Sequence, residues 1–405
     1  FLHTHSDGSI RDSAMTVHKL VAKAREMGAP AVALTDHGNM INYIDFLTEC
    51  GDDIKPIVGV EAYVEEGSEG RKHLILMATD YQGFQAISLA VSRSNERVEK
   101  MGPLTFPRMN KQILTECFGP GTPGHEHVIA TSACVSGVLA SIMFLNKGME
   151  NKLEKLRKRQ EKYTSPESES FKKDNEKLEE IKNRLSEISE KVKELKKLAG
   201  KSTSTLEKRV QKNLESPGKY PEAEKELEKL LKSKEDAAKQ LEELLQEKSQ
   251  LEPDFNYLKK VVKNTSSEIQ KWLVVEESVD KLLQNKIKDS EIDKVIMDEA
   301  RWYQDTFGTG YFYIELQYHG LPDEKKAMTK LAELSDILDI PVCIANDAHM
   351  PDNSADSVLA RAVVRATAFD RWEEPTNADR ELYFKTDEEL KAKLMEIIPK
   401  EKVQE

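Results

Sequence analysis

The chain has 405 residues and a formal net charge of −12, enough length to bury a large core as one big domain or two to three smaller ones, and too acidic for a broad nucleic-acid-binding surface. A local site in which divalent cations supply the positive charge stays open. Four scattered cysteines, Cys50, Cys117, Cys134 and Cys343, exclude a disulfide framework or a CxxC zinc module, no apolar run nears the roughly 20 residues that span a bilayer, and no signal peptide is present, so the expected setting is a reducing cytoplasm without a membrane partner.

Alternation over Phe1-Leu-His-Thr-His5 predicts a β-strand, in which His3 and His5 project from one face and can share a metal ion. A surface strand that happens to carry two histidines is the plainer alternative, and the position of the other ligand-type residues decides between them. The chain opens inside this strand without an initiator Met, as expected of a fragment. Helical spacing then runs from Met15 to Met27, capped by Gly28, and Ala31–Gly38 is a continuously apolar strand ending in a turn. The alternation goes on through a helix over Ile41–Cys50, strands over Lys55–Val64 and Lys72–Thr79, a helix over Gly83–Val98 and a strand over Val128–Ser132. It resumes late in the chain with strands Tyr311–Gln317 and Pro341–Asn346 around a helix over Asp323–Leu338. This pattern predicts a parallel α/β architecture, most simply a barrel of about seven or eight strands.

The interruption, about Gly148 to Lys288, is rich in Lys, Glu and Leu and keeps a heptad. Leu178, Ile181, Leu185, Ile188, Val192 and Leu195 alternate by three and four, as do Leu227, Leu230, Leu241, Leu244, Leu251, Phe255, Leu258 and Val262, with Lys234, Ala237 and Lys248 on that seam. Breakers at Gly200, Ser202–Thr205, Pro217-Gly218 and Pro221 predict a turn, hence an antiparallel coiled coil with arms of about 30 to 40 residues, roughly 45 to 60 Å. The expected division is therefore 1–147 and 289–405 for the barrel and 148–288 for the insertion. A solvated arm without chemistry is one reading of the insertion; a lever that contacts DNA or protein is the other.

Barrel sites sit at or just after strand C-termini. His3, His5 and Asp12 follow that rule for the first strand, Asp36-His37 for the second, Glu61 for the third, Cys134 for the strand ending near Ser132, and Asn346-Asp-Ala-His349 for the last; His73 departs by standing near its strand's beginning. This mixed N/O/S set suits Zn²⁺, Mn²⁺ or Fe²⁺. Sites with two cations bridged by a carboxylate bind phosphate, generate hydroxide and stabilise attacking and leaving oxygens, so phosphoester hydrolysis is the expected reaction class. His18, His125 and His127 are read as solvated.

The chain resembles the PHP (polymerase and histidinol phosphatase) domain, in particular that of bacterial replicative DNA polymerase III α subunits. The resemblance is carried by His3-Thr-His-Ser with Ser9-Ile-Arg-Asp12, Ala33-Leu-Thr-Asp-His-Gly-Asn39, Ile54–Val64, His73-Leu-Ile-Leu-Met-Ala, Ala130-Thr-Ser-Ala-Cys134, Tyr313–Pro322 and Ala345–His349. It implies a distorted (βα)7, TIM-like barrel and a centre of three divalent ions; the coiled coil that interrupts this barrel departs from the family, standing where a short connection is usual. His3, His5, Glu61 and Asp347 would hold one ion, Glu61, His73 and Cys134 the second, and Asp12, His37 and His349 the third. Asp347 and the bridging Glu61 would serve catalysis, while Arg108 and His319 would either touch phosphate or be structural. By the same resemblance the activity is a metal-dependent 3′→5′ exonuclease that could proofread, acting on DNA 3′ ends or single strands beside other replisome and polymerase segments; the polymerase core itself lies outside this sequence. Two other functions compete: a metal-stabilised structural module that docks partners through the arm, and a stand-alone phosphatase for a small phosphomonoester.

Overall fold

The structure, a computed structural model, describes residues 1–66, 69–101, 104–284 and 286–398; the end of the expected last barrel segment, past 398, lies outside the described residues. Two compact units emerge, one of residues 1–148 and 287–405, the other of residues 149–286.

In the first unit an extended N-terminal segment leads into α1 (Val17–Glu26), β1 (Ala31–Leu34) and α2 (Tyr43–Cys50). The Thr16 hydroxyl accepts from the Lys19 N–H at the start of α1, and Val17, Leu20, Val21 and Ala24 form its buried stripe. The chain continues through β2 (Lys55–Glu66), β3 (Glu69–Ala78), α3 (Tyr81–Ser94), the hairpin β4 (Val98–Met101) and β5 (Leu104–Pro107), α4 (Lys111–Phe118) and β6 (Val128–Thr131). The second unit is built from α5 (Leu145–Gln160, from Met149 onward), α6 (Glu169–Ala199), α7 (Ser204–Glu215) and α8 (Ala223–Gln284). The first unit is completed by α9 (Ile292–Phe307), β7 (Phe312–Leu316), α10 (Pro322–Leu338), β8 (Val342–Ile344), α11 (Ala355–Phe369) and α12 (Asp387–Leu394).

Six strands form one curled sheet in the order β1-β2-β3-β6-β7-β8. The expectation of an all-parallel sheet is corrected at β3, which runs antiparallel to both neighbours, whereas β1–β2, β6–β7 and β7–β8 are parallel. Glu66 pairs with Glu69, and so short a connection cannot make the crossover of a dozen or more residues that parallel neighbours require. The expected first strand is present only as an extended segment. Its carbonyls accept on one side from β1 and the residues after it (Ala33 N to Phe1 O, Thr35 N to Thr4 O), and on the other side it exchanges bonds with Ala348 (Ala348 N to His3 O, His5 N to Ala348 O). The helix expected to reach Val98 stops at Ser94, and Val98 instead pairs with Pro107 in a hairpin.

In the second unit α8 is 62 residues long and continuous through Pro253, longer than the arms of 30 to 40 residues expected. Its length is matched by two helices in series. Thr164 donates to Glu268 at 2.6 Å, Arg184 forks onto Glu247 at 2.7 and 2.9 Å, and Lys234 donates to Lys201 O at 3.0 Å. Partner numbers fall on one side as they rise on the other, so α6 and α8 run antiparallel, with Ile181, Ile188, Ala237 and Leu258 buried. Among the described residues no helix is long and apolar enough to cross a membrane.

The main core of the first unit lies between the sheet and helices α3, α4, α9 and α10. Phe118 and Phe307, both buried, stack there with ring centroids 5.2 Å apart. Phe118→Ala is expected to destabilise the chain by about 3–5 kcal/mol through lost burial and the cavity left behind, read as a shift of the urea midpoint at unchanged slope.

Candidate metal centre

The sheet brings one group of side chains to one end. His37 follows β1 and bridges to Glu61 in the middle of β2, while the next strand places His73 opposite Tyr63. Because β3 is antiparallel, its early residues lie at the same end as the C-termini of β1 and β6, so His73 meets the loop after β6: its N–H donates to Ser136 O at 3.1 Å and its carbonyl accepts from Val138 N at 3.0 Å. That loop carries Cys134, 3.5 Å from His73 Nδ1. The bonds between residues 3–5 and Ala348 set His3 and His5 beside Asp347 and His349. Three non-glycine residues with left-handed φ occur at or next to this group, Arg11 (73°), Ala133 (57°) and Asp347 (43°), and such strained backbone clusters where surrounding structure fixes a site.

All nine side chains expected as ligands fall within this cluster. Glu61 stands at its centre: Oε2 lies 3.4 Å from His3 Nε2, 3.1 Å from His5 Nε2 and 2.7 Å from His37 Nδ1, and Oε1 lies 2.6 Å from His73 Nδ1. Asp347 Oδ1 is 3.3 Å from His3 and from His5, and 3.0 Å from His349 Nε2. Asp12 Oδ2 is 3.2 Å from His37 Nε2 and 3.7 Å from His349 Nδ1. The His5 and His349 rings stack at 4.1 Å. Three triads have their donor atoms within 4.8 Å of one another: His3, His5 and Glu61; Glu61, His73 and Cys134; and His5, His37 and His349.

The donor chemistry fits divalent ions. His3 Nε2, His5 Nε2, His37 Nδ1, His349 Nδ1 and both oxygens of Glu61 are buried with no hydrogen-bond partner, although they face one another closely. Buried polar atoms left this way are costly, and lone pairs converging from N, O and S donors are what Zn²⁺, Mn²⁺ or Fe²⁺ coordinates. Burial pushes the carboxyls of Glu61 and Asp347 towards neutrality, but the surrounding imidazoles outweigh it and hold both well below the usual carboxylate range. Burial, then the Glu61 and Asp347 carboxylates, push the Cys134 thiol well up, so only a bound cation would keep it as thiolate. Burial and the adjacent His5 take His349 down to about 4, leaving a neutral ring with a free lone pair.

A layer that the sequence reading did not assign orients these ligands. Glu315 on β7 accepts from His3 Nδ1 at 2.7 Å and from Gln317 at 2.9 Å, and its other oxygen from Thr131. Ser9 sits between His5 Nδ1 at 2.8 Å and Asp36 at 2.7 Å. Such carboxylate and hydroxyl partners fix which imidazole nitrogen is left to bind. His319 has both ring nitrogens engaged, Nδ1 with Glu324 at 2.7 Å and Nε2 with Asn346 O at 2.9 Å, so it braces the backbone next to Asp347. Arg108 lies 3.7 Å from Glu65 and is not among the residues lining the cavity beside the cluster. That cavity, about 520 Å³, is lined by Asp12, His37, His73, Cys134, Asp347 and His349 on one side and by α11 and residues 371–382 on the other.

A family model described as the PHP domain matches residues 2–207. A DNA polymerase III subunit alpha of Chlamydia muridarum is 37% identical over 150 residues, 34% of this chain and 11% of that protein; one of Campylobacter jejuni is 35% identical over 144 residues, again 34% and 11%. The aligned part of the chain thus spans about a ninth of the length of these relatives. A solved amidohydrolase of Chromobacterium violaceum, with bound sulfate and no metal, is 23% identical over 24% of this chain and 33% of its own, with a TM-score of 0.20.

The unsatisfied donors give a direct expectation. Adding Zn²⁺ or Mn²⁺ to metal-stripped protein at a hundredfold excess over Kd should stabilise it by about 2.7 kcal/mol per site, seen as a rise in Tm that a chelator reverses and that His5→Ala reduces.

Proposed function

The chain belongs to the PHP domain family, and from that premise we propose that it is a metal-dependent phosphoesterase module of a polymerase III α-like protein, releasing nucleotides from DNA 3′ ends. The observation that carries this reading is that all nine ligand-type residues are intact and fall in one cluster around Glu61, beside a cavity roomy enough for a terminal nucleotide. A site kept only for packing would have no use for six buried, unpartnered donor atoms. On this reading residues 1–147 and 289–405 form the distorted (βα)7 barrel, closed by the N-terminal segment, and 148–288 are an antiparallel coiled-coil insertion available to protein or DNA. The cytoplasm is the setting that DNA replication implies.

His3, His5, Glu61 and Asp347 would hold one ion, Glu61, His73 and Cys134 a second, and Asp12, His37 and His349 a third. Ions held there would supply Lewis acidity for phosphodiester hydrolysis. The protein's own work is orientation: Glu315 and Ser9 fix the rings of His3 and His5, and His319 fixes the backbone that presents Asp347. Asp347 lines the cavity, so its carboxylate would stand beside the phosphodiester and the attacking water.

Protein reconstituted with Mn²⁺ or Zn²⁺ should release nucleotide from 3′-labelled single-stranded DNA, and Asp347→Asn should lower the rate at least a hundredfold while leaving the protein folded, as circular dichroism would show. Metal-loaded protein without any release would instead favour the structural, partner-docking role.

A further inference from the structure

Arg361 on α11 is buried, 5% exposed, and an arginine keeps its charge at any physiological pH. A buried cation needs specific partners, and this one has three contacts, two of them on the loop carrying Asp12. Nη2 donates to Asp12 Oδ1 at 2.8 Å, Nε donates to the Asp12 backbone carbonyl at 3.0 Å, and Nη1 donates to Asp379 Oδ1 at 2.9 Å. Asp379 is itself fixed, its Oδ2 accepting from Thr376 N at 2.9 Å and Thr376 Oγ1 at 2.6 Å and its Oδ1 from Arg365 at 2.8 Å.

The fork has a consequence for Asp12. With Oδ1 taken by the guanidinium, only Oδ2 is directed at His37 and His349, so this carboxylate can offer one oxygen in one direction. The preceding residue, Arg11, holds a left-handed φ of 73°, a conformation strained for a non-glycine residue unless neighbouring structure holds it. Arg361 grips the same loop by its backbone and its side chain together.

We propose that Arg361, braced by Asp379, is a positioning residue that fixes Asp12 as a single-oxygen ligand, and so sets the affinity of the ion shared with His37 and His349 without affecting the ions held around His3 and His73. The inference rests on the three-ion reading above and adds a device by which α11 and the segment around Thr376 control one ion of the three.

The test is metal affinity, not turnover. The full chain is stripped, then titrated with Mn²⁺ against a fluorescent chelator, with the ions per chain counted by elemental analysis. Wild type is expected to bind three. Arg361→Met should bind two with unchanged affinity and the third about 10–100-fold more weakly, the usual effect of losing a partner that orients a ligand. Arg361→Lys, which keeps the charge but cannot form the planar fork, should fall between, and Asp379→Asn, which leaves the Asp12 contact in place, should weaken the same ion less. Should Arg361→Met fail to fold, the lysine and Asp379 variants decide. Three ions at wild-type affinity in the folded variants, or equal weakening of all three, would overturn the inference alone. A wild-type chain that binds no ion would overturn the metal-centre reading as well.

Discussion

The structure is organised around a carboxylate with nowhere to go. Glu61 is fully buried in the middle of β2, both its oxygens lack hydrogen bonds, and four imidazoles from three separate segments point at them. An unpaired buried charge costs several kcal/mol, and protonated histidines repay that only in part because they repel one another. Divalent cations would satisfy every one of these atoms at once, which is why the arrangement makes sense as a centre that binds metal and is poorly explained as packing.

The direction of β3 is what completes the set. In an all-parallel sheet His73, early in its strand, would lie at the opposite end from Cys134; as the return strand of a hairpin it lies beside it. The same end of the sheet gathers Asp347 and His349 because the N-terminal segment hydrogen-bonds to β1 on one side and to Ala348 on the other. Backbone pairing thus does the assembling, and side chains such as Glu315 and Ser9 then choose the nitrogen each imidazole presents.

How much of this was legible beforehand depended on range. The candidate ligands were visible because imidazoles, carboxylates and a thiol at strand ends form a local, periodic signal, and α1, α10 and the buried strands declared themselves by apolar spacing. The antiparallel pairing of β2 with β3 was not, since periodicity gives strands but not their directions. Nor was Glu315: a single Glu inside Phe-Tyr-Ile-Glu-Leu has no local pattern, and its partner His3 is 312 residues away. Arg361 was hidden for the same reason, on a helix, α11, whose existence the apolar spacing had not suggested.

The most direct test of the central claim is anomalous diffraction from crystals of the chain soaked in Mn²⁺ or Zn²⁺. The account predicts three anomalous peaks inside the cluster, two of them sharing the Glu61 carboxylate and one of these within bonding distance of Cys134 Sγ. Peaks confined to the surface, with Glu61 and its imidazoles bridged by ordered water alone, would contradict it.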